Sequence, residues 1–206
     1  MKQLILASQS PRRKALLTQL GYQFITQAAD INESVKPNEN AKDYVVRLAI
    51  EKAQGIMSVL PEQKHTQMIV LGADTCVVLD DEILGKPANE AECIATLLRL
   101  SNKEHQVLTA IAVVAEDQNS QEHNNDVITK LVETQVQFKS LTVDEIKAYW
   151  RTGEPCDKAG SYGIQGIGGQ FVTTINGSYS AVVGLPLYET VQLLEHVGLP
   201  SSLSNA

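Results

Sequence analysis

Apolar positions along the chain fall into short strand-like runs and longer stretches with helical spacing. The all-apolar residues 4–7 predict a buried strand, and residues 106–115 and 127–138 predict two long strands. Apolar residues recur at helical spacing over 42–60 and 89–100, which predicts two amphipathic helices. Strands and helices alternate without a strict βαβ repeat, so the pattern predicts an α/β protein with a mixed sheet and flanking helices.

Cap-forming residues set several helix boundaries. Ser10 and Pro11 are typical of an N-cap and a first helical position, so a helix is expected directly after the first strand. Thr142 and Glu145 have the spacing of a capping box, which predicts another helix start. Pro186 is expected to open the last helix.

Three further stretches complete the pattern. Residues 68–72 and 76–79 predict two strands joined by a short turn. The Asn176-Gly177 pair predicts a hairpin whose second strand covers residues 179–183. The polar residues 116–126, between the two long strands, are expected to form a solvated hairpin tip.

Composition narrows the class of protein. The 206 residues include 17 Lys plus Arg and 24 Asp plus Glu, and the formal net charge is −7. Because a general nucleic-acid binder needs an excess of basic groups, this balance disfavours that class. The hydrophobic fraction of 43% supports a buried core. No Pro/Ser/Gly-rich linker divides the sequence, so we expect one domain over residues 1–206.

The cysteine pattern and the lengths of the apolar runs indicate where in the cell the protein is expected. Cys76, Cys93 and Cys156 form neither an even-numbered set nor a C-x-x-C pair, so the sequence predicts no disulfide framework and no zinc site. The longest apolar run has the length of a strand, and the N-terminal one is too short for a secretory signal. We therefore expect a cytoplasmic protein that does not enter a membrane.

Polar residues between the first strand and the first helix form the first candidate site. Ser8, Ser10, Arg12 and Arg13 lie where the N–H groups of a helix N-terminus are unpaired. Hydroxyl and guanidinium groups in that position bind anions such as phosphate. The same residues also fit a capped surface helix with solvated arginines. The preceding strand favours the anion site, because ligands of α/β sheets bind where strands end and helices begin.

An acidic and a basic residue form the next candidates. Asp74 follows the apolar run 68–72, and a carboxylate there is costly to bury unless it is paired, binds a metal or serves as a base. An Asp-centred turn is the structural alternative. Lys86 lies between Gly85 and Pro87, although most such lysines are solvated loop residues.

The segment 153–166 is rich in glycine. Closely spaced glycines allow a backbone to approach a ligand, and Gln165 among them carries both a donor and an acceptor. Long irregular connections are uncommon in compact domains unless they are functional. The P-loop, Rossmann, zincin and nucleophile-elbow signatures are absent from the sequence.

Taken in order, these segments resemble the Maf family of nucleoside triphosphate pyrophosphatases. The matching segments are LILASQSPRRKALLTQLG, the Glu33 region, VVRLAIEKA, VLGADTCVV, ILGKP, and the stretch from GEPCDKAGSYGIQGIGGQF through NGSYSAVVGLPLYET. Motifs are weak one at a time, but six in register over about 180 residues make coincidence implausible. The segment KAGSYGIQG resembles the corresponding segment of the subgroup that acts on dTTP and UTP.

The resemblance implies a fold, a reaction and partners. The fold is the inosine triphosphatase-like Maf/Ham architecture, a twisted mixed sheet in one domain of two lobes that share a central cleft. The reaction is hydrolysis of dTTP, UTP or modified pyrimidine nucleotides to the monophosphate and pyrophosphate, which sanitises the nucleotide pool. A divalent cation, Mg²⁺ or Mn²⁺, and a homodimer are also implied. The alternative is a nucleotide-binding regulator of septum formation with little turnover.

The resemblance also assigns roles residue by residue. Asp74 matches the proton acceptor, and chemically it serves equally well as a metal ligand together with Glu33. Positions tied to base selectivity are Arg12, Thr75 and Gln165. The other polar positions around the triphosphate are Ser8, Arg13, Glu33, Lys52 and Lys86; Glu33, Lys52 and Lys86 are grouped with Asp74 as catalytic. The Gln165 amide suits uracil or thymine, because it can donate to a ring carbonyl and accept from N3–H. A rotated amide would match cytosine, so neighbouring groups must fix its orientation.

Overall fold

The computed structural model describes residues 2–61, 68–116 and 125–203. In that part of the chain the elements are β1 (Gln3–Leu6), α1 (Pro11–Gln19), β2 (Phe24–Thr26), α2 (Ala41–Met57), β3 (Met68–Leu79), β4 (Glu82–Leu84), α3 (Glu90–Leu100), β5 (Glu104–Glu116), β6 (Asn125–Phe138), α4 (Val143–Trp150), β7 (Val172–Asn176), α5 (Tyr179–Val183) and α6 (Leu187–His196). Short 3₁₀ helices cover Glu154–Asp157, Ala159–Ser161 and Ile167–Phe171.

The described strands form one mixed sheet. Its order is β2-β1-β3-β5-β6-β7, and β4 pairs with β3 outside this path. Strand β1 runs parallel to both β2 and β3, with Leu4 opposite Phe24 and Ile69. Strand β4 is antiparallel to β3, and β7 is antiparallel to β6. The predicted mixed α/β sheet with flanking helices is confirmed.

The chain divides into two compact units. The first consists of Met1–Asp74, Thr109–Leu131 and Gly184–Ala206, and the second of Thr75–Leu108 and Val132–Val183. In the first unit, residues 4–6 of β1 and the inner face of α2 are buried. In the second unit, the core is rich in aromatic rings; its largest fully buried side chains are Phe138 and Phe171.

The predicted caps are present. Ser10 accepts a hydrogen bond from the Arg13 N–H at the start of α1, where Pro11 is the first helical residue. Thr142 and Glu145 form a capping box at the start of α4. Each satisfies N–H groups that a helix N-terminus leaves unpaired.

Two predicted boundaries are wrong. Residues 68–79 form one continuous strand rather than two strands around a turn, so Asp74 lies in the middle of β3. Residues 179–183 form helix α5 instead of the second strand of a hairpin. The Ser178 hydroxyl accepts a hydrogen bond from the Ala181 N–H, an interaction typical of a helix start. The predicted tip at 116–126 lies largely outside the described residues.

Candidate active site

Strand β3 brings Asp74 to the face that helix α2 covers. Side chains alternate along a strand, so Gly72 and Asp74 point to the same side. A Cβ at Gly72 would lie 2.1 Å from the Ala49 carbonyl oxygen and 2.9 Å from the Ala53 nitrogen. The missing side chain at Gly72 therefore permits the close approach of α2 to the strand.

Lys52 occupies the same face of α2 as Ala49 and Ala53, and its ammonium group reaches two carboxylates. Its Nζ lies 2.7 Å from Asp74 Oδ1 and 2.7 Å from Glu33 Oε1. The side chains of Lys52 and Asp74 are 11% and 10% exposed, whereas that of Glu33 is 51% exposed. Lys52 and Asp74 thus form a buried ion pair, and the exposed Glu33 links the same lysine to the protein surface.

The segment that carries Glu33 is tied to α2 by side chains. The Tyr44 hydroxyl donates to the Glu33 carbonyl oxygen at 3.1 Å, and Arg47 Nη2 donates to the Ser34 carbonyl oxygen at 3.1 Å. Arg47 is itself held by Glu39 at 2.5 Å and Glu51 at 3.0 Å. These contacts fix an irregular segment that has no sheet or helix hydrogen bonds of its own.

The charges around Asp74 act in opposite directions on its pKa. Burial raises the pKa of Asp74 above its ordinary value, and the nearby Glu33 adds to the effect. Lys52 and Arg13 oppose it, without cancelling the effect of burial. A raised pKa makes this carboxylate a stronger base than an ordinary solvated aspartate.

The polar cluster before α1 is also assembled. Ser8 is buried, and its Oγ accepts from the Ser10 N–H at 3.1 Å and from Arg13 Nη1 at 3.4 Å. Arg13 Nε donates to the Gly184 carbonyl oxygen at 2.8 Å. Burial lowers the pKa of Arg13, and the attraction of Asp74 opposes this change. Arg12 follows Pro11 in the same helical turn and is half-buried. The first unit therefore contains the fixed guanidinium of Arg13 close to the buried Asp74 carboxylate and its partner Lys52.

The other predicted site residues belong to the second unit. Thr75 follows Asp74 on β3 and is half-buried, and Lys86 and Gln165 are exposed. The loop before Lys86 is anchored where the Gly160 N–H donates to the Gly85 carbonyl oxygen at 3.1 Å. Gly160 has a φ of 65°, and a Cβ there would lie 2.9 Å from the Val77 side chain.

Three residues with structural roles at these sites were not predicted. Arg47 and Tyr44 hold the Glu33 segment, and Glu154 holds the loop that contains Gln165. The i,i+4 pair of Arg47 and Glu51 on α2 was a detectable signal, but it is typical of any solvated helix. Nothing in the local sequence separates Glu154 from an ordinary loop carboxylate.

Fold and site together define a class of protein. A mixed α/β sheet presents a buried aspartate paired with a lysine, close to an arginine that is fixed at a helix N-terminus. Such an arrangement suits an α/β enzyme that acts on a small anionic substrate. The chain belongs to the Maf family, since the family model described as Maf-like protein matches residues 3–197. The resemblance noted in the sequence is confirmed.

Curated relatives match the chain over nearly its whole length. A protein of Colwellia psychrerythraea named dTTP/UTP pyrophosphatase is 60% identical over 202 residues, covering 98% of this chain and 92% of the relative. A Vibrio vulnificus protein of the same name is 53% identical over 194 residues, or 94% and 98% of the two chains. Among solved structures, the Ham1 protein of Staphylococcus aureus aligns with a TM-score of 0.41 at 16% identity, over 66% of this chain and 72% of the other.

Across residues 2–61, 68–116 and 125–203, no helix combines the length and the apolar character that crossing a bilayer requires.

Proposed function

We propose that this protein is a nucleoside triphosphate pyrophosphatase that hydrolyses dTTP and UTP to the nucleoside monophosphate and pyrophosphate. The observation that carries the proposal is the buried Asp74 carboxylate, held by Lys52 at 2.7 Å and close to the fixed Arg13. Maf membership and relatives of 48–60% identity named dTTP/UTP pyrophosphatase support the reaction and the substrates. The alternative, a septum regulator with little turnover, is not favoured.

Basic residues of the site offset the charge of the substrate. A nucleoside triphosphate carries about four negative charges, and cleavage moves charge onto the leaving pyrophosphate. Arg13 is held in place by Ser8 and Gly184, so it offers a positive charge without reorganisation. Arg12, Lys52 and Lys86 are proposed to add further positive charge along the triphosphate.

Asp74 is proposed to activate the attacking water. The water oxygen bonds to the α-phosphorus, and the bond from that phosphorus to the α–β bridging oxygen breaks. Pyrophosphate leaves with the electron pair, and the proton of the water passes to Asp74. The raised pKa of Asp74 favours this transfer, because a base works best when its pKa approaches the working pH.

A divalent cation, Mg²⁺ or Mn²⁺, fits the residues at this site. Asp74 and Glu33 flank Lys52, and Mg²⁺ is commonly held by one or two carboxylates together with substrate phosphates. The described part of the chain contains no cluster of three or more His, Cys, Asp or Glu side chains able to hold a metal. Asp74 and Glu33 are proposed to share the ion with the triphosphate, and the bound ion would neutralise charge on the leaving pyrophosphate.

Selectivity for the base is proposed to depend on Gln165, with Arg12 and Thr75. The Gln165 amide can donate to a carbonyl of uracil or thymine and accept from N3–H. Its exposure on a glycine-rich loop leaves the amide open to a ligand. The single domain of two lobes, the homodimer and the cytoplasmic location remain predictions, and light scattering of the purified protein tests the dimer.

Replacement of Asp74 by Asn tests the proposal. Pyrophosphate release from dTTP and UTP, measured with Mg²⁺ and with Mn²⁺, should fall by about 10² to 10⁴-fold, because both the base and a charged ligand are lost. The far-UV circular dichroism spectrum should be unchanged. Asp144→Asn, an exposed aspartate in the first turn of α4, is the matched control and should retain normal release. Near-normal release by Asp74→Asn would refute both roles of Asp74.

A further inference from the structure

One carboxylate, Glu154, organises the glycine-rich loop that follows it. Its Oε2 accepts from the Ile167 N–H at 2.8 Å, and its Oε1 accepts from the Gly168 N–H at 2.9 Å. Oε1 also accepts from the Tyr149 hydroxyl at 2.7 Å, and that hydroxyl accepts from the Gly163 N–H at 3.1 Å. Both oxygens of Glu154 are thus used to hold the loop.

The glycines of this loop are in close contact with the same two side chains. A Cβ at Gly166 would lie 2.2 Å from Glu154 Oε2, and a Cβ at Gly168 would lie 2.5 Å from the Tyr149 hydroxyl. The backbone therefore wraps directly around the carboxylate and the phenol. A larger residue at either position would displace the loop or the side chain that it encloses, and so disturb this arrangement.

Gln165 lies inside the segment that this arrangement fixes. Gly163 is held two residues before it, and Ile167 and Gly168 are held two and three residues after it. The Gln165 side chain itself is exposed. The direction of that side chain is consequently set by a backbone that Glu154 and Tyr149 hold on both sides.

We infer that Glu154, with Tyr149 as its bridge, is a positioning residue that aims Gln165 and so sets the selectivity of the enzyme among nucleobases. The inference rests on the proposed function, because it deepens the role of Gln165 in base recognition. Glu154 acts only through the loop and makes no contact with the substrate. A base pocket discriminates through the placement of donors and acceptors, so a small displacement of the amide weakens discrimination more than turnover.

The ionised form of Glu154 suits this role. Burial works against its charge, but the N–H donors of Gly168 and Ile167, the Tyr149 hydroxyl and the charge of Lys158 outweigh burial and lower its pKa. A carboxylate can accept all these bonds at once. A neutral amide cannot, because its NH₂ group meets at least one backbone N–H as a second donor.

Glu154→Gln is the test variant, since it preserves shape and removes at least one of the loop hydrogen bonds. Tyr149→Phe is the second variant, because it removes the hydroxyl that joins Glu154 to Gly163. Glu145→Gln is the matched control: Glu145 lies on α4 in the same unit and also accepts a backbone N–H, from Thr142. Glu145→Gln should lower the stability of the protein but leave the hydrogen bonds of the Gln165 loop intact.

The readout is kcat/KM for pyrophosphate release from dTTP, UTP, CTP and GTP. Glu154→Gln and Tyr149→Phe should each reduce the preference for UTP and dTTP over GTP by about tenfold, mainly through KM. Glu145→Gln should leave the ranking of the four nucleotides unchanged. In a Gln165→Ala background, Glu154→Gln should cause little further loss of preference, because the residue that it aims is already missing.

Two outcomes overturn the inference while leaving the proposed function intact. In one, the wild-type protein releases pyrophosphate with a clear ranking of bases and Glu154→Gln lowers all four rates equally. In the other, Glu154→Gln and Gln165→Ala reduce the preference for UTP and dTTP over GTP independently, so that the double variant loses the product of the two single-variant factors. Failure of the proposed function is separate and is visible first, as a wild-type protein that releases no pyrophosphate from any of the four nucleotides.

Discussion

Replacing Lys52 by Met tests how the protein tolerates a buried carboxylate. Lys52 and Asp74 are each about one-tenth exposed, and their charged atoms are 2.7 Å apart. Methionine fills a similar volume but carries no charge, so Asp74 would lose its ammonium partner while remaining buried. Glu33 would lose the same partner, but its side chain is 51% exposed and water can replace the contact.

The expected loss of stability follows from that difference in burial. Removing one partner of a buried ion pair costs about 3–5 kcal/mol, because an uncompensated charge is left behind. The contact with the exposed Glu33 adds no more than about 1 kcal/mol. The double variant Lys52→Met/Asp74→Asn removes both charges of the pair and should lose only about 1–3 kcal/mol relative to wild type. Asp74→Asn should therefore partly rescue Lys52→Met.

The pH dependence has a definite sign. The folded-state pKa of Asp74 is raised, so its protonation favours the folded state at low pH, and this advantage is lost as pH rises through that pKa. Lys52 lowers the pKa of Asp74, so its removal raises that pKa further. The stability deficit of Lys52→Met should therefore shrink as pH falls from 7 towards the ordinary pKa of an aspartate, about 4. The double variant should lack this pH-dependent recovery.

Urea denaturation followed by far-UV circular dichroism measures these differences, with the same m-value required for all variants. The reasoning is refuted if Lys52→Met loses less than about 1 kcal/mol at pH 7, since a buried pair would then behave like a surface pair. It is also refuted if adding Asp74→Asn makes Lys52→Met less stable.

Two further predictions concern the two units separately. Gly72→Ala should lower stability by about 1–3 kcal/mol and reduce pyrophosphate release, because its Cβ would lie 2.1 Å from the Ala49 carbonyl oxygen; Gly85→Ala, with nothing within 4 Å of its Cβ, is the control for both measurements. The hydrogen bond from Lys139 lowers the pKa of Glu145 from 4.5 to about 2, so its contribution to stability is present above pH 4.5 and is lost as pH falls towards 2. Thermal denaturation at pH 7, 4 and 3 should show a smaller acid-induced decrease for Glu145→Gln than for wild type, and an equal decrease would contradict the assignment.

The sequence predicted most elements of the fold, but it failed where a tertiary contact changes the meaning of a residue. In β3, the polar Asp74 breaks an apolar run and so favours a turn when only neighbours along the chain are considered. The lysine that makes a buried aspartate tolerable lies 22 residues earlier, on α2. Local pattern alone carries no information about that pairing. Residues 179–183 became helical because Ser178 caps them, although their composition also suits a strand.

The candidate site shows the same limit. The motifs selected the candidate residues, such as Arg13 and Lys52, because their types and order match a known family. They did not identify Arg47 or Glu154, whose importance depends on backbone groups that fold against them. Hydrogen bonds from a side chain to a distant main chain have no fixed spacing in sequence.

Arg47 and Glu154 hold their segments for the same physical reason. The segment of Glu33 and the loop of Gln165 are irregular, so their main-chain polar groups lack the partners that helices and sheets supply. A charged side chain on or beside a neighbouring helix supplies them instead: Arg47 donates to the Ser34 carbonyl oxygen, and Glu154 accepts from two N–H groups. The charge of the side chain matches the backbone group that needs a partner: a cation binds a carbonyl oxygen, and an anion binds N–H groups. An exposed side chain such as Gln165 can then be held on irregular backbone without burial of that backbone.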